Sequence, residues 1–183
     1  MVKHKICGVD EAGRGCIAGS LFMAGVILKS PIDGLNDSKK LSRTQRFLLE
    51  KHIHQSSEYI IVSFDATQID TQGLSACLHT GLLKIQKQLN ADEYIFDGNC
   101  NFGIKSYKTL IKGDQQLQEI QAASILAKCA KDRESLDLDQ LYPKYLFKNH
   151  CGYATKKHLQ AIMQYGKLPC HRKSFQIQAP RLF

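Results

Sequence analysis

A chain of 183 residues with 43% hydrophobic and 23% charged residues and a net charge of +8 is long enough for one well-buried core, and its charge favours an anionic partner. No apolar run reaches the roughly 20 residues of a membrane helix, and "MVKHKICGVD" lacks the apolar stretch of a signal peptide, so a cytoplasmic protein without a membrane partner is expected. Seven cysteines stand singly with no C-x-x-C pair, which argues against a zinc site or a disulfide framework and for reduced core residues.

Along the chain, residues 4–10 and 20–28 read as two strands, antiparallel neighbours joined by a glycine-rich loop. After the polar connection "LNDSKKLS", Ser42 and Gln45 form a capping-box signature that opens a helix to about His54. Residues 59–65 make a third strand. In "GLSACLHTGLLKIQKQL", Leu74, Cys77, Leu78, Leu82, Ile85 and Leu89 fall on one helical face. A short buried strand (93–97) ends at Asp97, and residues 105–111 supply a fifth. The Ala-rich "EIQAASILAKCAKDRESLDLD" predicts a helix packed closely on the sheet, and a last helix runs from near Thr155 to before Gly166. The fold class is α/β with a mixed five-stranded sheet flanked by helices.

Charge divides the chain unevenly. Residues 1–139 hold 17 basic and 17 acidic residues, whereas residues 140–183 hold eight basic residues and no acid. Residues 1–139 are therefore read as one α/β domain and 140–183 as a basic helical extension packed on it. Tyr142, Tyr145, Tyr153 and His171 interleave with the basic residues, a pattern that suits nucleic acid.

Four acids stand at element ends: Asp10, Glu11, Asp97 and Asp114. A buried acid pair is costly unless a cation meets it. If the first and fourth strands are neighbours, Asp10 and Asp97 converge at one sheet edge. Converging carboxylates without His or Cys suit Mg²⁺ or Mn²⁺, and a pair of such ions can hydrolyse phosphodiesters. Consecutive strand residues face opposite ways, so either the pleat breaks after Asp10 or Glu11 serves the metal partly through its backbone carbonyl. The glycines of "GRG" let the backbone approach a ligand. Lys39 and Lys40 contact phosphates or solvate a turn. Tyr153, between the small Gly152 and Ala154, suits an exposed stacking role, and "HRKSF" reads as a terminal cap with His171 held structurally.

Six blocks then bear on one another: "GVDEAGRG-IAG", "NDSKKLS", "FDGN", "KGD" with "IQAASILAK-AKDR", "YP-Y-F--H-GYAT--H" and "G-LP-HRKSF". In this order, across residues 6–175, the chain resembles type-2 ribonuclease H (ribonuclease HII). The resemblance implies a ribonuclease H-like fold with a short helical C-terminal extension. It implies an Mg²⁺- or Mn²⁺-dependent endonuclease that cuts RNA in RNA–DNA hybrids and at single ribonucleotides in duplex DNA. By motif, Asp10, Glu11, Asp97 and Asp114 match the catalytic, metal-holding carboxylates. Gly13, Arg14 and Gly15 match the ribonucleotide-recognition loop, and Tyr153 the tyrosine that packs on the sugar at the junction. Ser20 replaces a frequent proline and Ala154 a common glycine; neither change removes a functional group.

Asp114 is taken as the fourth acid over Asp132, because eighteen residues of mostly helical chain hold the two roughly 20 Å or more apart. Asp132 is expected to pair with Arg133 or a lysine. Incision is expected on the 5′ side of the ribonucleotide, leaving 3′-hydroxyl and 5′-phosphate ends, with Lys156 and Lys157 on the duplex backbone. The final "QAPRLF" loosely resembles peptides that dock on the sliding clamp, so a clamp contact is an expectation, as is a monomeric state. A silent binding module would tolerate loss of the acids, and a phosphotransferase would want G-x-x-x-x-G-K-[ST], which is absent.

Overall fold

The computed structural model describes residues 4–36 and 38–176. Its centre is a five-stranded sheet in the order β3-β2-β1-β4-β5. The strands are β1 (Ile6–Ala12), β2 (Leu21–Leu28), β3 (Ser57–Phe64), β4 (Glu93–Asp97) and β5 (Tyr107–Leu110). β1, β2 and β3 form an antiparallel meander, whereas β4 lies parallel to β1 and β5 parallel to β4. The mixed sheet of the sequence reading is therefore present.

One face of the sheet packs Cys7, Val9, Met23 and Phe96 against Leu78, Leu82 and Ile85 of α3 (Leu74–Gln88). The other packs Ala12, Ala24 and Val26 against Ala122, Ala123, Ile125 and Leu126 of α4 (Gln118–Leu141), with Ile53 of α1 (Arg43–Ser56) beside them. The close packing predicted for the Ala-rich helix has a partner in β1. A Cβ on Gly8 would stand 2.4 Å from the backbone of Glu119 and Ile120, so α4 rests directly on the strand.

The capping box at Ser42 forms with both of its bonds. α2 (Ala66–Gln72) is an addition to the sequence reading, opened by a second capping box between Asp65 and Gln68; its composition, "ATQIDTQ", has too little apolar periodicity to announce a helix. β1 runs unbroken through Asp10 and Glu11 to Ala12, so the pleat does not break after Asp10. Past α4, a 3₁₀ turn (Pro143–Tyr145), α5 (Phe147–His150) and α6 (Lys156–Tyr165) build a small core of Tyr145, Phe147, Ala161 and Ala18. All seven cysteines are free; Cys7, Cys16, Cys77 and Cys129 are buried, Cys151 and Cys170 partly so, and Cys100 is exposed.

Candidate active site

Parallel pairing of β1 with β4 sets the site. Asp10 and Asp97 each follow one member of the register pair Val9–Phe96, so the two acids stand together where the β1–β4 pairing stops, at the last residue of β4 and two residues before the end of β1. Asp97 accepts the Gly113 N–H at 3.0 Å, which draws the 3₁₀ turn Gly113–Gln115 to the same edge and brings in the buried Asp114. Lys112 makes that turn possible by adopting a left-handed conformation, φ 56°. Asp10, Glu11, Asp97 and Asp114 line one open cleft of about 590 Å³.

These carboxylates are poorly compensated. Burial, then the neighbouring charges of Glu11 and Asp97, pushes Asp10 well above the usual carboxylate range. Burial also raises Glu11, against the opposing pull of Arg14, and raises Asp97, with the Asp114 charge adding to it. Arg14 Nη1 lies 3.4 Å from Glu11 Oε1 while Glu11 Oε2 is buried without a partner, and Lys39 Nζ lies 3.4 Å from Asp114. Among the described residues no group of three or more His, Cys, Asp or Glu side chains is placed, as it stands, to hold a metal ion. The all-oxygen donor set, the mutual repulsion of its carboxylates and the orphaned Glu11 oxygen nonetheless fit a hard divalent cation.

Across the cleft stand Gly13, Arg14, Gly15 and Tyr153. Gly13 is required by its φ of +87° and by Ser20 O, 2.6 Å from where a Cβ would sit. Gly15 differs: a Cβ there would meet only Tyr153 Cε1, at an ordinary 3.9 Å, so its lack of a side chain leaves room in the cleft rather than serving the turn. Tyr153 is 41% exposed, and Lys128 Nζ lies 5.9 Å from the centre of its ring. Burial of the hydroxyl end pushes the phenol up to about 12, so it stays neutral.

Buried histidines hold Tyr153 by its backbone. Its N–H donates to His150 O, and its carbonyl accepts from His158 Nδ1 at 2.8 Å. His158 Nε2 must then accept, and it faces His171 Nε2 at 3.1 Å. His171 donates there because its Nδ1 takes the Leu168 N–H at 2.8 Å. In the same way His150 donates to Tyr145 O and accepts from Gly152 N. All three rings are neutral with a fixed tautomer, and burial pushes His158 down to about 4. "HRKSF" is thus a cap, as its sequence suggests.

Lys39 lines the cleft; Lys40, Lys156 and Lys157 are exposed outside it. Asp132 corrects an expectation. It is buried and pairs with Arg46 at 2.7 Å and Arg43 at 3.8 Å, both from α1, while Arg133 pairs with Glu50 instead. Ser38, Lys112, Gln115, Ser124 and Lys128 also line the cleft and were not singled out from sequence. Ser124 hydrogen-bonds Asp10 and meets Ser38 Oγ at 2.9 Å. The four-residue spacing of Ser124 and Lys128, on one helical face, was the available signal.

Comparison with known proteins identifies the family and the fold. Residues 7–178 match the family model described as Ribonuclease HII. The chain is 48% identical over 181 residues to a ribonuclease HII of Sulfurovum sp. (strain NBC37-1), covering 97% of this chain and 96% of that one. In fold it is similar to the ribonuclease HII solved in complex with PCNA from Archaeoglobus fulgidus, with a TM-score of 0.80, 24% identity and 92% of each chain covered. It is equally similar to ribonuclease H2 from Pyrococcus horikoshii OT3, at TM-score 0.80 and 24% identity over 94% of each chain.

Proposed function

This chain belongs to the ribonuclease HII family and is a metal-dependent ribonuclease H; from that premise we propose that it hydrolyses RNA in RNA–DNA hybrids and incises on the 5′ side of single ribonucleotides in duplex DNA, leaving 3′-hydroxyl and 5′-phosphate ends. Asp10, Glu11, Asp97 and Asp114 would hold Mg²⁺ or Mn²⁺. When bound, such ions supply an activated water and stabilise the leaving oxygen. The observation that carries this reading is the convergence of Asp10 and Asp97 on adjoining strands, where their pairing stops, facing a backbone loop across one cleft.

The chain's own residues do the rest. Arg14 and Gly15 offer backbone N–H groups to the 2′-hydroxyl, the one sugar group that separates a ribonucleotide from its DNA neighbours. A site built to hydrogen-bond a hydroxyl can reject the analogue lacking it by ~10⁴. Tyr153 packs on the adjacent deoxyribose. Arg14 and Lys39, now beside Glu11 and Asp114, supply positive charge for phosphates, and Lys40, Lys156 and Lys157 extend that field along the duplex. We assign residues 1–139 to catalysis and 140–183 to an extension that presents Tyr153.

The enzyme acts as a monomer in the cytoplasm; among the described residues no helix is long and apolar enough to cross a membrane. The Archaeoglobus protein was solved with PCNA, which supports a sliding-clamp contact here through residues 178–183, a segment outside the described residues. The deciding experiment is cleavage of a labelled duplex with one ribonucleotide, in Mg²⁺ and in Mn²⁺, with mapped ends. A cut on the 3′ side, or a 3′-phosphate end, would sink the reading.

A further inference from the structure

The loop from Gly13 to Ser20 has its polar groups taken up in an unusual way. Arg172 lies in the segment after α6 and is completely buried. Among the described residues its guanidinium meets no carboxylate. Nη2 donates to Gly13 O at 2.7 Å, Nη1 to Arg14 O at 3.1 Å and Nε to Gly19 O at 2.9 Å. Its backbone N–H donates to Ile17 O, and its cationic centre lies 5.0 Å from the centre of the Phe175 ring. Lys131, also buried, closes the far end by donating to Ala18 O and Ser20 O. The N–H groups of Ile17 and Ala18 go to Gly152 O, that of Gly19 to Cys170 O, and that of Ser20 to Glu134. Among the described residues, no acceptor meets the N–H of Arg14 or of Gly15.

The choice of carbonyls matters. Gly13 C=O and Arg14 N–H are two ends of one peptide group, and Arg14 C=O and Gly15 N–H are two ends of the next. Resonance links the ends of each group, so a cation on the oxygen draws charge from the nitrogen and makes its N–H a stronger donor. The two Nη groups of Arg172 therefore touch the oxygens whose partner amides are free, whereas Nε takes Gly19 O, whose partner amide on Ser20 is bonded to Glu134. A guanidinium is suited to this task because its planar fork can hold several oxygens at fixed angles, which an ammonium cannot.

We propose that Arg172 is a positioning residue for ribonucleotide selection: it fixes and polarises the peptide groups that offer the Arg14 and Gly15 amides, and thereby sets how strongly the enzyme distinguishes ribose from deoxyribose. This rests on the reading of those amides as the hydroxyl's partners. It adds that a buried side chain, reaching neither substrate nor metal, determines their strength.

The test uses two duplexes that differ by one 2′-hydroxyl, with binding followed by fluorescence anisotropy in EDTA so that nothing is cut. The wild-type protein prefers the ribonucleotide duplex. Arg172→Met loses about tenfold of that preference, the scale of a weakened charge-assisted contact, with affinity for the all-DNA duplex unchanged. Arg172→Lys, which keeps the charge without the fork, recovers part of it. In amide NMR of the free proteins, the Arg14 and Gly15 protons move upfield in Arg172→Met. Equal loss on both duplexes, or an unchanged preference with unmoved amide signals, would overturn the proposal. If Arg172→Met does not fold, Arg172→Lys is read by the same two measurements, and full wild-type preference and shifts in it overturn the proposal. A wild-type protein with no preference would instead overturn the hydroxyl reading itself, and that failure is recognised by its presence without any mutation.

Discussion

The carboxylate edge and the glycine-rich loop face each other across one cleft, and they are built by opposite rules. At the edge, Asp10, Glu11 and Asp97 are held close together with too few partners, so burial and like charge raise all three. In the loop, buried Arg172 and Lys131 hold one carbonyl after another, and neutral histidines fix the backbone of Tyr153 opposite. One side stores repulsion that an added cation relieves. The other is organised before any ligand arrives and pays little to stay so. Chemistry and recognition are thereby separated, although the residues concerned share one space.

If the contrast holds, removing an acid from the edge damages activity and spares the fold. Asp10→Asn and Asp97→Asn should each lower cleavage on the order of 10³-fold or more, while thermal melting shows unchanged or raised stability as repulsion falls. Near wild-type turnover in Mg²⁺ would break the comparison at its strongest point. Asp132 should behave in the reverse manner. Asp132→Asn weakens a buried pair with Arg46, which also donates to Ser38 O and Leu41 O, and should cost about 3 kcal/mol of stability. Asp114→Asn should melt normally and be inactive. A stable, inactive Asp132→Asn beside a normal Asp114→Asn would exchange the two assignments.

Acid should sharpen the comparison further. His158 titrates near 6.5 in the unfolded chain and near 4 when folded, so the unfolded state binds more protons between those values. Its contribution is whole above pH 6.5, falls as the pH drops, and is lost by about pH 4. The expected loss is about 3 kcal/mol, read from denaturant melts across that window and flattened in His158→Gln. A profile unaltered by that substitution would mean the histidine relay does not hold the loop side. The smallest effect is on selectivity. Gly15→Val and Tyr153→Ala should reduce cutting at a lone ribonucleotide about tenfold more than cutting of a long RNA–DNA hybrid, in paired kcat/KM measurements. Equal losses would leave both residues as mere supports.

Much of the edge was legible in the sequence because strand ends are. An apolar run that stops on an acid marks Asp10 and Asp97, and two such strands need only be neighbours for the acids to meet. The partner of Asp132 was not legible, since Arg46 lies 86 residues away and a helix face does not say which helix it packs against. Ser38 and Ser124 carry no charge to draw notice, although they touch across the cleft wall. The role of Arg172 was hidden for a different reason. Its partners are backbone carbonyls, which every residue has and no letter of the sequence encodes. The placement of Glu11 was hidden by the pleat, because a strand that continues to Ala12 still lets both acids border the same cleft.

Gly8 stands two residues before Asp10 on β1, outside the cleft lining, where α4 rests on the strand with no side chain between them. That contact works as a hinge pin for the whole assembly. α4 carries Ser124 beside Asp10, Lys128 beside Tyr153, and Lys131 and Glu134 under the loop. A single methyl at position 8 would be a wedge, lifting the helix and shifting all of these groups together relative to the acids on the strand. Distances across the cleft are in that sense calibrated at a point that touches none of the chemistry, and a library of compensating changes around Gly8 could retune the spacing without altering one residue that lines it.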